Sequence, residues 1–424
     1  MHFTGHQRWV AAVVGLAVVG LSPLSATDWP QFRGPSGMGV SPDKGVPVKW
    51  GQQENLVWKA ALPNPGASTP VLFGSKIFLT TYSGFNVPGQ GKGDMSALKR
   101  QVLCLNRADG KVLWSKEVPA KLPEQATIRE SHGYSSNTPV VDAERVYVFF
   151  GKSGVLAFDH DGKQLWQADV GSNLNGWGSA ASPILHGDLV IVNASVESES
   201  LVALDKRSGK EKWRAKGVKE AWNTPLLVNV DQGKTELVVP IIGKVLGFDP
   251  NTGTQLWTCD TGISWYMVPC VVAENGIVYC IGGRSGGALA VRAGGKGDVT
   301  KTHRLWTGNK GSNVSSPVLH QGHLYWMHEG LGMAYCAELK SGRVVYEQRI
   351  QGAGQVYAAA VLAEDKVFYV TRQGKTFVVA AKPTFEQLAV NDLADGSTFN
   401  ASPALADGRL YLRSDKFLYC IGKK

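Results

Sequence analysis

The stretch Leu201–Trp213, LVALDKRSGKEKW, places Ala203, Asp205, Gly209 and Trp213 at offsets 0, 2, 6 and 10. The same frame returns as Cys104, Asn106, Gly110, Trp114, then as Gly247, Asp249, Gly253, Trp257, and as Cys336, Glu338, Gly342, Tyr346. A copy one residue shorter in its turn reads Ala157, Asp159, Gly162, Trp166. Each position has a physical reason. Apolar residues alternate up to the acid as in a strand, and a polar run then interrupts them. Asp or Asn at the turn entry accepts from its own backbone two residues on, and Gly supplies the positive φ that such hairpin loops require. A Trp buries roughly 150–250 Å², more than one hairpin can cover. Each unit therefore needs a neighbour, and the chain reads as a repeat architecture.

A second periodic feature counts the units. The segments STPVL, NTPVV, ASPIL, NTPLL, MVPCVV, SSPVL, AAAVL and ASPAL put Pro70, Pro139, Pro183, Pro225, Pro269, Pro317, Ala360 and Pro403 in one slot, 42 to 48 residues apart after a first interval of 69. A turn and a β-rich run such as KIFLTTY or RVYVFF follow each. Pro is tolerated at the start of an edge strand. Each unit is thus four strands: a Pro-led first, a second, and the hairpin that ends in Trp. Eight units predict an all-β fold, an eight-bladed β-propeller of four-stranded antiparallel blades. The last unit stops after three strands at Tyr419-Cys420-Ile421, while Asn55–Leu62 is an orphan fourth strand whose Trp58 matches Trp114. This N-terminal strand is expected to close the ring and remove an exposed edge.

Three places depart from the period. Blade one carries SGFNVPGQGKGDMSALKRQ between its second and third strands, and blade five carries RAGGKGDVTKTH ahead of Trp306. Blade seven has Leu388 where a Trp is expected. The Gly-rich stretches Gly294–Gly297 and Gly282–Gly287 lack a following helix to cradle a phosphate; the first reads as a flexible loop, the second as a tight inter-strand connection.

Residues 1–26 read as a signal peptide: His2, His6 and Arg8, then an apolar core from Val10 to Leu21, then the small-residue site Leu24-Ser25-Ala26. That core is too short to span a bilayer and no later run approaches the needed length, so an exported mature chain without a transmembrane segment is expected, periplasmic or extracellular. Residues 27–54 form a Pro- and Gly-rich arm, and residues 55–424 the propeller. Composition agrees: 50 of 424 residues are Gly, 43% are hydrophobic and 13 are Trp, which excludes a disordered chain. The net charge of +9 is spread without a dense basic stripe, so no nucleic-acid partner is expected. Of the six cysteines, Cys104, Cys336 and Cys420 occupy the small-residue slot as buried thiols. Cys270 and Cys280 flank the turn Glu274-Asn275-Gly276, so both a bridge and two free thiols stay open.

The frame of small residue, Asp, Gly and Trp behind a Pro-led strand resembles the repeat of the pyrroloquinoline quinone (PQQ)-type propellers, over about residues 55–422. That family has a branch of quinoprotein alcohol dehydrogenases and a branch of non-catalytic propellers such as the BamB-like assembly factors. The opening Trp29–Pro35, WPQFRGP, is similar to the start of a group of exported PQQ-like proteins of unassigned activity. The resemblance implies that a catalytic member would carry adjacent bridged cysteines over the quinone and acid and amide ligands for calcium. No two cysteines are adjacent here, and no acid cluster has calcium-site spacing. The expectation is therefore a monomeric, non-catalytic binding or scaffold module with no cofactor and no metal, taking a protein partner or a small ligand. A PQQ- and calcium-dependent oxidoreductase of reduced size is the alternative.

In propellers of this kind, the connection before each first strand and the turn between strands two and three share one face. The ligand or partner candidates on it are Arg129, His132, Tyr134, Trp177, Trp222, Asn223, Tyr266, Arg284, Glu329, Tyr357, Arg372 and Asn400, with Trp265 and His328 beside them. Aromatics, Arg and amides around a concavity suit a planar or polar ligand or a peptide. The same rings could instead pack the loops and plug the channel. The unit-end residues Trp114, Trp166, Trp213, Trp257 and Trp306 are read as structural, so Trp213→Ala is expected to cost more stability than Trp222→Ala.

Overall fold

The computed structural model describes residues 1–2, 27–128, 132–230, 233–284 and 286–423. Eight sheets follow one another round a ring, each built on four antiparallel strands, with a fifth, parallel strand added to two of them. Blade three shows the pattern: Ile184–His186, Leu189–Ala194, Ser200–Asp205 and Glu211–Lys216 pair in sequence order. Blade eight is built from Ala404–Ala406, Arg409–Arg413 and Phe417–Ile421, and Leu56–Ala61 joins as its outer strand, with Trp58 opposite Cys420. The two ends of the chain close the ring, as the orphan strand predicts.

The repeat frame has one physical purpose per position. The small residue lies opposite the Trp across the last hairpin, as Cys104 opposite Trp114, Ala157 opposite Trp166 and Ala203 opposite Trp213. The Asp205 carboxylate accepts from the Arg207 and Ser208 backbone N–H at 3.1 and 2.9 Å, and the Ser208 hydroxyl together with these bonds lowers its pKa to about 2. Gly209, at φ +72°, is the floor on which Trp166 of the preceding blade lies: a Cβ there would stand 2.7 Å from the indole. Trp166 Nε1 then donates to Lys206 O at 3.1 Å. Trp58, Trp114, Trp213 and Trp306 repeat this on Arg107, His160, Pro250 and Leu339 carbonyls of the next blade. Each Trp is a rivet between blades.

Trp257 is the exception among the rings read as one set. Blade five lacks the tight turn that would receive it. The ring folds back over Gly247 of its own blade, and its Nε1 donates to Glu236 Oε2 at 2.7 Å. The Gly-rich insertion of blade five is not a free loop: Gly297–Asp298 adds a short parallel strand beside Trp257 and Thr258, and Gly294 N also donates to Glu236.

A second ring of bonds runs nearer the channel. At six of the eight blades the residue ahead of the strand-leading slot accepts, through its side chain, from the backbone N–H of its counterpart in the preceding blade: Thr69 donates to Thr138, Thr138 to Ser182, Ser182 to Thr224 and Ala359 to Ser402. Thr224 N donates to Cys270 Sγ and Cys270 N to Ser316 Oγ. This corrects the register of MVPCVV. Cys270 holds the Ser/Thr position, Val271 rather than Pro269 leads the strand Val272–Glu274, and the intervals from Pro225 to 271 and on to Pro317 become 46 each. All six cysteines are buried and unbridged, Cys270 and Cys280 included.

The arm crosses the channel end opposite the candidate face. Trp29 exchanges backbone bonds with Leu72 of blade one at 2.9 and 3.0 Å, and Val141 of blade two donates to Pro30 O. Val40–Ser41 pairs in parallel with blade seven, and Asp43 takes a hydrogen bond from Gly408 of blade eight. Arg33 lies fully buried between them, donating to Gly37, Met38 and Pro317 carbonyls, and burial lowers its pKa to about 10. WPQFRGP is thus a plug, with Gly34 backed directly onto the Trp29 ring.

Candidate functional site

The connections between blades and the turns between second and third strands gather on the unplugged face. Every described candidate lies in one of these segments. Arg129 lies outside the described residues. The remainder fall into two groups on different sides of the ring.

Over blades three to five the group is aromatic. Tyr266 is its centre: Trp222 meets it edge-on at 5.4 Å, Trp265 lies at 5.4 Å and Trp177 at 5.8 Å. Trp265 is 37% exposed, and the Arg284 guanidinium stands 5.8 Å from its ring centre. Glu329 borders this group. Its carboxylate accepts from Ser312 Oγ and Asn313 N at 3.0 and 2.8 Å and sits 3.5 Å from His328 Nδ1, while Asn313 Nδ2 reaches the Tyr266 hydroxyl at 3.4 Å.

Between blades seven, eight, one and two lies a cavity of about 540 Å³, lined in part by His132, Tyr134, Arg372 and Asn400. Arg372 Nε donates to Asn400 Oδ1 at 3.0 Å and Nη1 to Gln355 Oε1 at 2.8 Å, with the guanidinium 4.7 Å over the Tyr357 ring. His132 is clasped at both nitrogens, by Ser136 Oγ and Trp177 O at 2.6 Å each, and burial holds it below the usual imidazole range, hence neutral at pH 7. The insertion of blade one forms the outer wall through Asn86, Val87, Gln90 and Lys92.

Three candidates are spent on the fold. Asn223 is 1% exposed and ties blades together by donating to Pro240 O and Met267 O at 2.8 and 3.1 Å. Tyr134 is 4% exposed, and its hydroxyl donates to Gln125 O at 2.6 Å. Trp222 is 7% exposed and donates to Gly178 O at 2.8 Å, so it is as buried as Trp213 at 8%. The expectation that Trp222 is the cheaper residue to truncate does not survive that comparison.

One residue was passed over in the sequence. Asp415, in the turn between strands two and three of blade eight, lines the same cavity, and burial pushes its carboxyl up to about 6 against the pull of Arg413 and Arg372. Arg413 lies fully buried in the ring wall, donating to Ser68 O and Thr80 O. The signal was available: Asp415 holds the same slot in its blade as Arg372 in blade seven.

The face was tested against a quinone with its metal. Among the described residues no three His, Cys, Asp or Glu side chains come together as a metal site, and Asp415 and Glu329 belong to separate groups. The six thiols are buried and unbridged. The residues present do not fit that group.

Residues 50–240 match the sequence profile of the family described as outer membrane protein assembly factor BamB. Outer membrane protein assembly factor BamB of Burkholderia pseudomallei is 32% identical over 128 residues, a match that spans 30% of this chain and 30% of the relative's length. Among solved structures, BamB from Moraxella catarrhalis superposes with a TM-score of 0.62 at 15% identity, over 87% of this chain and 97% of that one. The quinohemoprotein alcohol dehydrogenase of Comamonas testosteroni reaches 0.66 at 12% identity, over 94% of this chain and 81% of the other. At such identities the likeness is one of fold. Taken with the repeat frame and the closed ring of eight blades, these matches support an eight-bladed propeller built on a PQQ-like repeat.

Proposed function

We propose that this protein is an exported, non-catalytic propeller that uses its unplugged face to bind a partner protein or a small ligand. The observation that carries the reading is the half-exposed Trp265 beside Arg284 on the Tyr266 cluster. A rigid aromatic and an arginine offered together at a surface are the residue types that dominate binding energy at interfaces. The BamB-like matches support a scaffold role by analogy. The rivets and the arm make the ring a stiff platform, so binding there involves little reordering of the backbone.

The reduced quinoprotein is the second reading, favoured by one observation. Asp415 has the raised proton affinity of a carboxylate suited to proton transfer, and it lines a cavity large enough for a substrate. The two readings part in a dye-linked assay. With PQQ and calcium supplied, the purified protein is expected to reduce no artificial acceptor with alcohols or aldoses. Steady turnover abolished by Asp415→Asn would replace the first reading with the second.

A further inference from the structure

The cavity beside Asp415 is where the chain departs most from its own repeat. The insertion of blade one is folded as a hairpin, with a Phe85–Gly93 bridge and Asn86 N donating to Lys92 O at 2.7 Å. It is fastened from inside: Tyr82 donates to Asn86 O at 3.0 Å, and Asn86 Nδ2 donates to Ala126 O at 3.3 Å. Tyr82, Phe85, Val87, Leu98 and Tyr134 form a buried cluster of their own beneath it. The opposite wall is close-packed. A Cβ on Gly66 would stand 2.5 Å from Arg413 Nη2 and 2.6 Å from Thr80 O. Ring closure puts blade eight beside blade one, and only then does Asp415 face the hairpin across about 540 Å³, within the range of about 300–1,000 Å³ usual for small-ligand sites.

The groups turned to this space are polar and of both signs. Among the described residues none hydrogen-bonds the Asp415 carboxylate, whose side is partly open to the cavity. Asn400 gives its Oδ1 to Arg372, which leaves its amide N–H groups to donate. Gln90, Lys92, Thr127 and Thr398 supply further donors and acceptors, beside apolar surface from Val87, Pro88 and Ile128. A net anion in this space meets Asp415, and a net cation meets Lys92 and Arg372. A hydroxyl meets neither penalty: it donates to the carboxylate and accepts from the amide or ammonium.

We infer that the cavity walled by the blade-one hairpin, Asp415 and Asn400 binds a neutral polyhydroxylated small molecule, a mono- or disaccharide, without turning it over. This deepens the non-catalytic reading and rests on it. Asp415 takes paired hydroxyls, Asn400 donates from the side, and Lys92 closes the outer edge.

Isothermal titration of the purified protein with glucose, galactose and maltose tests it, with glucosamine, glucuronate and glycylglycine as cationic, anionic and zwitterionic counterparts. At least one neutral sugar is expected to bind saturably at one site. Asp415→Asn, nearly isosteric, and Asn400→Ala should each weaken it at least tenfold, with Lys92→Ala, on the exposed hairpin, losing less. Lys301→Ala, on the far face, should change nothing. The inference is overturned if no neutral sugar binds, if a charged or zwitterionic counterpart binds more tightly, or if binding survives both Asp415→Asn and Asn400→Ala. Any of these leaves the non-catalytic reading standing, because quinone binding and dye reduction decide that and sugar binding does not.

Discussion

The two faces of this ring obey different rules. On the plugged face, blade after blade repeats one device: an acid caps the turn, a glycine makes a floor, and the neighbour's Trp lies on it, as with Asp205, Gly209 and Trp166. On the other face the turns between strands two and three differ from blade to blade, running from the two-residue Ile242-Gly243 to the blade-one hairpin. A position that recurs in every unit is explained by what every unit needs, which is a neighbour. A position that departs from the period needs another reason. Asp415, Arg372 and the hairpin depart together and meet at one cavity.

The largest way to break this comparison is to remove the closure. Deleting residues 27–62 takes away the plug and the outer strand of blade eight, exposing the edge of Phe417–Ile421. Size exclusion should show association or aggregation, and a monomer with an unchanged melting temperature would contradict the account. Next come the rivets. Trp213→Ala should cost about 3–5 kcal/mol in denaturant titration, the usual range for a buried aromatic. Trp222→Ala should now fall in the same range, since its burial and hydrogen bond match. A much smaller loss for Trp222 would restore the simpler division of the faces.

Glu197 gives an effect of middle size with a distinct pH signature. It is 2% exposed, one carboxylate oxygen has no partner among the described residues, and burial pushes its carboxyl up to about 7. Because that lies above the ordinary 4.5, the folded state binds the proton more tightly than the unfolded one. Its stabilising contribution is full below about pH 4.5 and is lost as pH rises toward 7. Glu197→Gln should flatten that part of the stability profile and gain on the order of 3 kcal/mol relative to the parent above pH 7. Parallel pH profiles for parent and variant would contradict it. The smallest effect sharpens the contrast. Trp265→Ala, at the exposed edge of the aromatic group, should change stability by less than about 0.5 kcal/mol. A rivet-sized loss would mean that this face is structural throughout.

How much of this was legible depended on whether a residue's reason lay inside the repeat. The eight blades, the closing strand and the stacked Trp rings follow from the period, because most units end in a ring that one hairpin cannot bury alone. Pro269 misled because proline marks a strand start only when it sits in the slot. Cys270 carries the hydrogen bonds that fix the register, and a thiol does not advertise itself as a serine's substitute. Trp257 fits the frame letter by letter, yet its partner turn is missing from the next blade, which no reading of its own unit reveals. The path of the arm depends on contacts more than 300 residues apart, such as Asn391 Nδ2 to Val48 O. Asp415 was hidden for the same reason. Its turn looks ordinary until ring closure brings the blade-one hairpin opposite.

The central claim is that this face binds without catalysing, and the most direct measurement is an equilibrium one. Visible absorption of the purified protein is followed as PQQ is titrated in with calcium present. The account predicts the spectrum of free quinone at every ratio, because Glu329, Asp415 and the buried thiols do not assemble a quinone and metal site. A saturable shift at one quinone per chain, lost in Asp415→Asn, would contradict it.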